Sequence, residues 1–344
     1  MSSTRILFSS RRSALSGLAR MLQGAAFRHA RYFLLVDANT FTHCLPSLVS
    51  TVPPLQEAEF IELPVGEEAK SLSIAEQVWA SLLDSGADAD SVIVNLGGGC
   101  VCDLGGFVAA GYQRGIRYIN VPTTLLAMVD AAVGGKTAVN LQGVKNQVGF
   151  FYPPVAVCIH PPFLDTLPHD EWLSGRFELL KCQLLGGDAF SAVPWDTPLT
   201  DMAATASLVG DAAHFKAAVC RSDPRDGGVR RILNFGHTFG HAYEMLGGCQ
   251  AYTHGEAVAA GMVAMLRYQQ GRGEDVSSCL ARLLPLLKQY HLPDAIPCDK
   301  EALAACLRRD KKGDAQSIRI VTLSAPGHGE IRTVPWEALM EGLA

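Results

Sequence analysis

Short apolar runs alternate with amphipathic segments over the first 155 residues of this 344-residue chain. The runs "YFLLVDAN", "EFIELPVGEEA" and "SVIVNLGGG" end in polar residues or glycine, and "SIAEQVWASLLDSG" between the last two has helical periodicity. A continuous apolar run is typical of a strand buried on both faces, and helical connections make neighbouring strands parallel. The pattern therefore predicts a Rossmann-like α/β domain over residues 1–155. Ligands should bind at the carboxyl ends of its strands, at residues 37–39, 97–103 and 123–124.

The second half of the chain has a different character. Segments such as "FGHTFGHAYEML" and "GEAVAAGMVAMLRYQQ" carry helical periodicity, and only "SIRIVTLSA" and "EIRTVPW" read as extended. We predict a mostly α-helical domain over residues 156–344, with a boundary near Pro153 and Pro154. A cleft between two domains is a common place for a ligand, and we expect one here.

Charge and composition limit the partners. The formal charge is −5, so no face-wide excess of Lys and Arg is available for nucleic acid or an anionic membrane, and we expect neither as a partner. No apolar run reaches the ~18 residues of a membrane span. A small anionic substrate stays possible, since it needs only a local cluster of cations.

The cysteines and the N-terminus bear on location. The ten cysteines are dispersed, and we interpret them as reduced thiols of a cytoplasmic protein. Residues 1–36 contain six arginines and no acid, a composition also typical of transit peptides. The same residues read as strand, helix and strand from about residue 4, which we prefer because it leaves no room for a removable leader.

A glycine loop follows one predicted strand, in "NLGGGCVCDLGGFVAA". Glycines at the start of a helix let the backbone approach a pyrophosphate, so the loop favours a dinucleotide. The spacing is not G-x-G-x-x-G, and a tight strand-to-helix turn is the alternative. A carboxylate would repel a phosphate, so Asp103 within the loop is expected to contact a neutral group of the ligand, such as an amide or a hydroxyl.

A second glycine-rich stretch, "VDAAVGGKTAVNLQGVKNQVGF", contains Asp130, Lys136, Lys145 and Asn146. Two lysines and an asparagine on a loop suit an anionic, oxygen-rich ligand such as a phosphorylated sugar. Solvated surface lysines are the alternative.

Three histidines and a glutamate suggest a metal site. His237 and His241 are four residues apart on one helical face, about 6 Å apart at Cβ, and His254 follows soon after. Glu178 lies three residues before Lys181 among apolar neighbours, so it is predicted to be buried and to need a cation. Glu178 with two of the histidines would form a catalytic zinc site with an open position. Packed histidines and a surface Glu–Lys pair are the alternatives, and the spacing does not decide which histidines bind.

Seven blocks, in order, resemble the 3-dehydroquinate synthase family of the sugar phosphate cyclases, from about Asp37 to Lys312. They are "GEEAKS", "GGGCVCDLGGFVAAGYQRG", "VPTTLLAMVDAAVGGKTAVNLQGVKN", "SGRFELLK", "RRILNFGHTFGHAYE", "HGEAVAAGM" and "RDKK".

The resemblance implies a role for each matching residue. It implies that Glu178, His237 and His254 bind Zn²⁺ or Co²⁺ and that His241 contacts the substrate phosphate. It also implies a homodimer, in which Arg114 contacts the substrate phosphate bound to the second subunit. The implied NAD contacts are Asp37, Asn39, Glu67, Lys70, Gly98, Gly99, Asp103, Thr123 and Thr124. The implied contacts of the phosphorylated sugar acid are Asp130, Lys136, Lys145, Asn146, Lys181, Lys216, Arg230, Asn234, His241 and Lys312.

The resemblance also implies a reaction. The family converts 3-deoxy-D-arabino-heptulosonate 7-phosphate to 3-dehydroquinate and phosphate in the shikimate pathway. NAD oxidises the substrate transiently, phosphate leaves by β-elimination, the hydride returns, and an intramolecular aldol reaction closes the ring.

Some residues depart from the family pattern. Phe177 replaces the usual alanine before the metal-binding glutamate, Cys102 replaces a glycine, and "DPRD" with Pro224 and Asp226 replaces a more acidic run. Three rival functions are a sister sugar phosphate cyclase, a metal-dependent polyol dehydrogenase of the same fold, and a catalytically dead homologue. Arg230, Asn234 and "GHTFGHAYE" favour an acidic substrate over that of a sister cyclase. The lysine-rich substrate loop and "LNFGHT" argue against a dehydrogenase, and no residue essential to the family is missing, as it would be in a dead homologue.

Overall fold

The computed structural model describes residues 4–8, 13–190, 192–193, 202–246, 252–290, 292, 294, 299–309 and 316–341. It divides into two compact units. The sheet unit comprises Met1–Trp172 and Thr205–Arg225, and the helical unit comprises Leu173–Ala204 and Asp226–Ala344.

Most of the described strands lie where the sequence predicts extended runs. They are β1 (Arg5–Leu7), β2 (Tyr32–Asp37), β3 (Glu59–Leu63), β4 (Val92–Gly97), β5 (Arg117–Pro122), β6 (Lys136–Leu141), β7 (Val144–Phe151), β8 (Ala156–Cys158), β9 (Ser317–Leu323) and β10 (Gly329–Pro335).

Twelve α-helices lie in the described part of the chain. They are α1 (Ala14–Leu22), α2 (Ala38–His43), α3 (Leu45–Thr51), α4 (Leu72–Asp84), α5 (Gly99–Gly111), α6 (His169–Gly186), α7 (Met202–Ser222), α8 (His237–Leu246), α9 (His254–Gly271), α10 (Ser277–Gln289), α11 (Lys300–Arg309) and α12 (Trp336–Glu341).

A six-stranded parallel sheet forms the centre of the sheet unit, in the order β1-β8-β5-β4-β2-β3. Every residue of β2 and β4 is buried, as expected of inner strands with continuous apolar runs. The edge strand β3 instead alternates between more and less buried residues. The predicted α/β class is confirmed, and the strand β1 and helix α1 form where the strand–helix–strand interpretation of the N-terminus placed them.

The sheet unit extends past residue 155. Strand β8 pairs with β1 and β5, and most of α7 belongs to this unit although it is separated from it in sequence. The core beside the sheet consists of apolar side chains of β2, β4, α4 and α5, among them Leu35, Ile93, Val78 and Phe107. The domain boundary near Pro153 and Pro154 stays a prediction.

The glycine-rich stretch expected to be a loop around Lys136 and Lys145 is a β-hairpin. Strands β6 and β7 pair antiparallel, with an irregularity between Val139 and Leu141. The turn residues Gln142 and Gly143 have φ values of 50° and 78°, the left-handed conformations of a two-residue hairpin turn. The prediction of a loop was wrong because Gln-Gly is a weaker turn signal than Asn-Gly.

The described part of the helical unit contains most of α6, all of α8 to α12, and the antiparallel pair of β9 and β10. These two strands are the segments that the sequence predicts to be extended. None of the helices in the described ranges combines the length and apolarity that a membrane crossing requires.

Candidate metal and cofactor sites

Helix α6 carries a buried ion pair. Glu178 is completely buried and Lys181, one turn later, is 1% exposed. The Lys181 Nζ contacts Glu178 Oε2. Two charges taken out of water are tolerated only when each has a partner of opposite charge. The alternative interpretation of Glu178 and Lys181 as a surface ion pair is therefore wrong.

Helices α8 and α9 bring two histidines to the same carboxylate. The Nε2 atoms of His237 and His254 each lie 3.5 Å from Glu178 Oε1. One ligand atom from each of the three residues lies within 4.8 Å of the other two. Two imidazoles and a carboxylate are the protein ligands of many catalytic zinc sites. His241 lies beside this cluster, its ring centroid 5.3 Å from that of His237.

The second ring nitrogen of each histidine also has a partner. His237 Nδ1 lies 3.2 Å from the carbonyl oxygen of Phe235, and His254 Nδ1 lies 3.2 Å from Oε1 of Glu244. Burial alone would lower the pKa of His254, but hydrogen bonds and charges of Glu178 and Glu244 outweigh it and raise this pKa to about 10 in the metal-free protein. Sequence reasoning missed Glu244. Its signal was its place seven residues after His237, on the same face of α8.

Glycines let the three helices approach closely. A Cβ added to Gly261 of α9 would lie 2.1 Å from the carbonyl oxygen of Gly236, just before α8. A Cβ added to Gly255 would lie 2.2 Å from the carbonyl oxygen of Ser174 in α6. Backbone contacts of this kind fit only glycine, so these positions fix the distances between the helices that carry the cluster.

The start of α9 is held by a capping box. The Thr253 hydroxyl accepts a hydrogen bond from the Glu256 backbone N–H at 3.4 Å, and Glu256 Oε2 accepts one from the Thr253 N–H at 2.7 Å. His254 is consequently the first residue of a well-defined helix. Glu256, which stands beside His254 in the sequence, has this capping role.

In the sheet unit, α5 begins at the carboxyl end of β4. Gly98 is its N-cap, and a Cβ added there would meet the Thr124 side chain at 3.0 Å. Asp37 ends β2 and caps α2, where its Oδ1 accepts from the Thr40 N–H at 2.8 Å. Thr123 is buried and its N–H donates to the Gly97 carbonyl at 3.0 Å. The N-terminus of a helix at the end of a parallel strand suits a bound phosphate.

Lys70 lies at the centre of a polar network beside this turn. Its Nζ donates to Asp103 Oδ2 and to Asn146 Oδ1, both at 2.7 Å. Burial alone would lower the pKa of Lys70, but the charge and hydrogen bond of Asp103 outweigh burial and raise it. Glu67 joins the network through Asn140, whose Nδ2 donates to Glu67 Oε2 at 2.7 Å. Asp103 thus contacts a lysine of the protein, where the sequence suggested a neutral group of a ligand.

Asp130 and Lys216 come together although 86 residues separate them. Lys216 Nζ lies 2.6 Å from Asp130 Oδ1, and only 7% of Lys216 is exposed. Asp130 lies in a turn of π-helix, Ala127–Ala131, a conformation that is frequent at functional sites.

The remaining predicted contacts are scattered over both units. Asn39, Lys136, Lys145 and Arg114 are exposed, and Asn146 lies beside the residues predicted to contact NAD. Arg230 is 3% exposed on a 3₁₀ turn that ends at Asn234. Gly99 is the first residue of α5. Lys312 lies outside the described residues.

Three of the residues that depart from the family pattern have defined surroundings. Phe177 is completely buried and packs edge-to-face against Tyr290, with ring centroids 6.1 Å apart. Cys102 is buried, and burial raises the pKa of its thiol well above the ordinary value. Asp226 has a φ of 56°, and its carbonyl accepts from Arg231 Nε at 3.0 Å.

Comparisons with known proteins cover nearly the whole chain. The sequence pattern of the 3-dehydroquinate synthase N-terminal domain matches residues 60–174, and that of the C-terminal domain matches residues 175–313. A 3-dehydroquinate synthase from Parabacteroides distasonis is 38% identical over 325 residues, which are 93% of this chain and 92% of that protein.

Two solved structures share the fold. One is 2-deoxy-scyllo-inosose synthase with carbaglucose-6-phosphate, NAD⁺ and Co²⁺, at a TM-score of 0.80, 24% identity and coverage of 99% of this chain and 95% of that one. The other is 2-epi-5-epi-valiolone synthase from Streptomyces hygroscopicus subsp. jinggangensis with NAD⁺ and Zn²⁺. Its TM-score is 0.83 at 24% identity, and the match covers 99% of this chain and 96% of that one.

Proposed function

The chain belongs to the 3-dehydroquinate synthase family, whose members are lyases, and on that premise we propose that Glu178, His237 and His254 hold its catalytic metal. The reaction converts 3-deoxy-D-arabino-heptulosonate 7-phosphate to 3-dehydroquinate and phosphate in the shikimate pathway. The observation that carries the proposal is the convergence of the three ligand atoms within 4.8 Å.

The donor set fits Zn²⁺ or Co²⁺. Two neutral imidazoles and one carboxylate suit either ion, and three protein ligands leave a position for substrate oxygens. The ion, when bound, acts as a Lewis acid toward a substrate hydroxyl. The geometry of Glu178 supports this role, because its Oε2 contacts Lys181 whereas its Oε1 faces both imidazoles at 3.5 Å.

We propose that NAD contacts the residues at the strand ends of the sheet unit. The start of α5 at Gly98 and Gly99 would hold the pyrophosphate, with Asp37, Asn39, Glu67, Lys70, Asp103, Thr123 and Thr124 around the rest of the cofactor. NAD, when bound, takes and returns a hydride. The Lys70–Asp103 pair would fix the polar groups in place before the cofactor arrives.

The substrate would be held by cations that the protein has already oriented. Asp130 holds Lys216, and Glu178 holds Lys181, so both ammonium groups are positioned before binding. Arg230 and His241 would supply further positive charge and hydrogen-bond donors to the phosphate and carboxylate, together with Lys136, Lys145, Asn146 and Asn234. Such fixed donors stabilise the negative charge that develops as phosphate leaves. We retain Lys312 in this set on the family pattern alone.

A homodimer is the finer part of the proposal. Gln113 and Arg114 have φ values of 49° and 64°, an unusual conformation for side-chain-bearing residues that projects Arg114 from an exposed turn. The hairpin strand β7 exposes Val144, Phe150 and Phe151, which supports a second copy of the chain as the partner. A cytoplasmic location is supported by the eight described cysteines, all of them free thiols.

The test is phosphate release from 3-deoxy-D-arabino-heptulosonate 7-phosphate with NAD and Zn²⁺, while absorbance is followed at the NADH band. We expect stoichiometric phosphate, no accumulation of NADH, and loss of activity when a chelator removes the metal. Net NADH without phosphate would identify a polyol dehydrogenase instead. Turnover of sedoheptulose 7-phosphate alone would identify a sister cyclase, and no turnover of either substrate a dead homologue.

A further inference from the structure

The two histidines of the metal cluster are oriented by different kinds of group. Both direct Nε2 toward Glu178 Oε1, at 3.5 Å in each case. A neutral imidazole that binds a metal through Nε2 must carry its proton on Nδ1, and the partner of Nδ1 selects that tautomer. For His237 the partner is the backbone carbonyl of Phe235, which no side-chain substitution removes.

For His254 the partner of Nδ1 is a side chain. Glu244 Oε1 lies 3.2 Å from this nitrogen, and the Glu244 side chain is only 14% exposed. Glu244 belongs to α8 and His254 is the first residue of α9, so the contact also joins two of the helices that form the cluster. An ionised carboxylate has no hydrogen to donate, so it can only accept a hydrogen bond from the Nδ1–H of His254.

We propose that Glu244 is a positioning residue for the metal site, on the assumption that the function proposed above is correct. Its carboxylate fixes the His254 ring with Nδ1 protonated and Nε2 available to the ion. Its negative charge also makes the imidazole a stronger ligand, as in other carboxylate–histidine–metal arrangements. With Glu178 it supplies two negative charges near a dication.

The experiment compares metal affinities of full-length variants. Zn²⁺ is titrated into the metal-free protein in competition with a chromophoric chelator. We expect Glu244→Ala to weaken Zn²⁺ binding about 10–100-fold, the usual effect of losing an outer partner of a ligand. Glu244→Gln should weaken Zn²⁺ binding less than Glu244→Ala. Its amide oxygen still accepts the hydrogen bond from His254, and only the negative charge is lost. This variant also preserves the shape of the side chain if the alanine variant folds poorly.

Glu256→Gln is the matched control. Glu256 lies two residues from His254 and is also a carboxylate, but it caps α9 and contacts the Thr253 backbone. Its variant should keep the affinity for Zn²⁺ within about twofold, because the glutamine amide oxygen still accepts the capping hydrogen bond and no hydrogen bond to a metal-binding imidazole is lost.

A spectroscopic measurement separates positioning from a general structural effect. In the Zn²⁺-loaded protein with ¹⁵N-labelled histidine, the His254 Nδ1 should carry a slowly exchanging proton, and Glu244→Ala should lose that protection. Unchanged Zn²⁺ affinity together with an unchanged Nδ1 signal in Glu244→Ala would overturn this inference.

His254→Ala distinguishes the two proposals. If it abolishes tight binding while Glu244→Ala has no effect, the metal site stands and only the positioning role fails. If His254→Ala leaves Zn²⁺ affinity unchanged, the proposed metal site itself is wrong and the role of Glu244 falls with it.

Discussion

The sheet unit and the helical unit place their proposed functional side chains in different ways. In the sheet unit, Asp37, Gly98 and Thr123 lie where parallel strands end, so the backbone path alone brings them to one edge. In the helical unit, Glu178, His237 and His254 come from three helices, and α6 is distant in sequence from the consecutive helices α8 and α9. Their convergence depends on contacts between helices, and glycines at those contacts decide how close the helices come.

The comparison shows two kinds of sensitivity. A site at strand ends tolerates changes between its elements as long as the sheet forms. A site shared by packed helices is lost when one helix moves by about an ångström, because metal ligands must lie within a few tenths of an ångström of their positions. The following variants test this difference, beginning with the one expected to have the largest effect.

Glu178→Gln should have the largest effect. It removes one of three proposed metal ligands, so Zn²⁺ affinity should fall by more than about 100-fold. This loss is larger than the usual effect of removing a residue that only hydrogen-bonds a metal ligand. It also leaves Lys181 buried without this carboxylate, and the free energy of unfolding of the metal-free protein should fall by about 3–5 kcal/mol. Chelator competition and urea denaturation measure the two quantities.

Glu274→Gln is the control for this variant. Glu274 pairs with Arg332 at 2.8 Å in the same unit, but both side chains are about a third exposed. Its loss should lower the unfolding free energy by at most about 1 kcal/mol and leave Zn²⁺ affinity unchanged. Equal destabilisation by the two variants would contradict the argument from burial.

Gly261→Ala tests the contact between α8 and α9. The new methyl group would lie 2.1 Å from the Gly236 carbonyl oxygen and 2.6 Å from the Gly240 nitrogen, so α9 must shift away. We expect a loss of about 1–3 kcal/mol in unfolding free energy and roughly tenfold weaker Zn²⁺ binding.

Gly271→Ala, at the end of the same helix, has nothing within 4 Å of the added atom and should be neutral or more stable by up to about 1 kcal/mol. If Gly261→Ala binds Zn²⁺ as tightly as the unmodified protein, the helix contact does not set the geometry of the site.

Gly105→Ala applies the same change to the sheet unit. The methyl group would lie 1.8 Å from Asn95 Oδ1 and would displace a buried side chain whose Nδ2 donates to Asn120 Oδ1 at 2.9 Å. The unfolding free energy should fall by about 1–3 kcal/mol. Zn²⁺ affinity should stay within about twofold, because the proposed ligands belong to the other unit.

Gly17→Ala in α1, where the added atom has open space, should stabilise the protein by up to about 1 kcal/mol. A large loss of Zn²⁺ affinity in Gly105→Ala would show that the two units do not respond separately.

Two capping residues give the smallest expected effects. Thr253→Ala removes the N-cap of α9 and should lower the unfolding free energy by about 1 kcal/mol, with Zn²⁺ binding a few-fold weaker because His254 is the first residue of that helix. Thr40→Ala weakens the capping box of α2 by a comparable amount and should leave Zn²⁺ affinity unchanged. Thermal unfolding and chelator competition compare the two, and equal Zn²⁺ affinities in both variants would contradict a role for the cap in placing His254.

Much of the sheet unit was predictable because its signals are local. The apolar runs of β2 and β4, and the glycines that follow β4, identify buried strands and a tight strand-to-helix turn without knowledge of distant residues. The hairpin of β6 and β7 was missed because Gln142 and Gly143 give a weak turn signal. The approach of Lys216 to Asp130 could not be derived from spacing, since 86 residues lie between them and the contact depends on where α7 packs.

Apart from the β6–β7 hairpin, the sequence by itself determined most of the elements and their faces. Its 3.6-residue period places His237, His241 and Glu244 on one side of α8, and its apolar neighbours bury Glu178 on α6. Only the tertiary structure decided which of these residues meet. His237 and His241 are equivalent by spacing, but the glycine contacts of α8 and α9 bring the Nε2 of His237 within 3.5 Å of Glu178 and set Glu244 beside His254. The physical reason is that periodicity fixes direction around one helix axis, whereas the distance between helices depends on close packing of atoms remote in sequence.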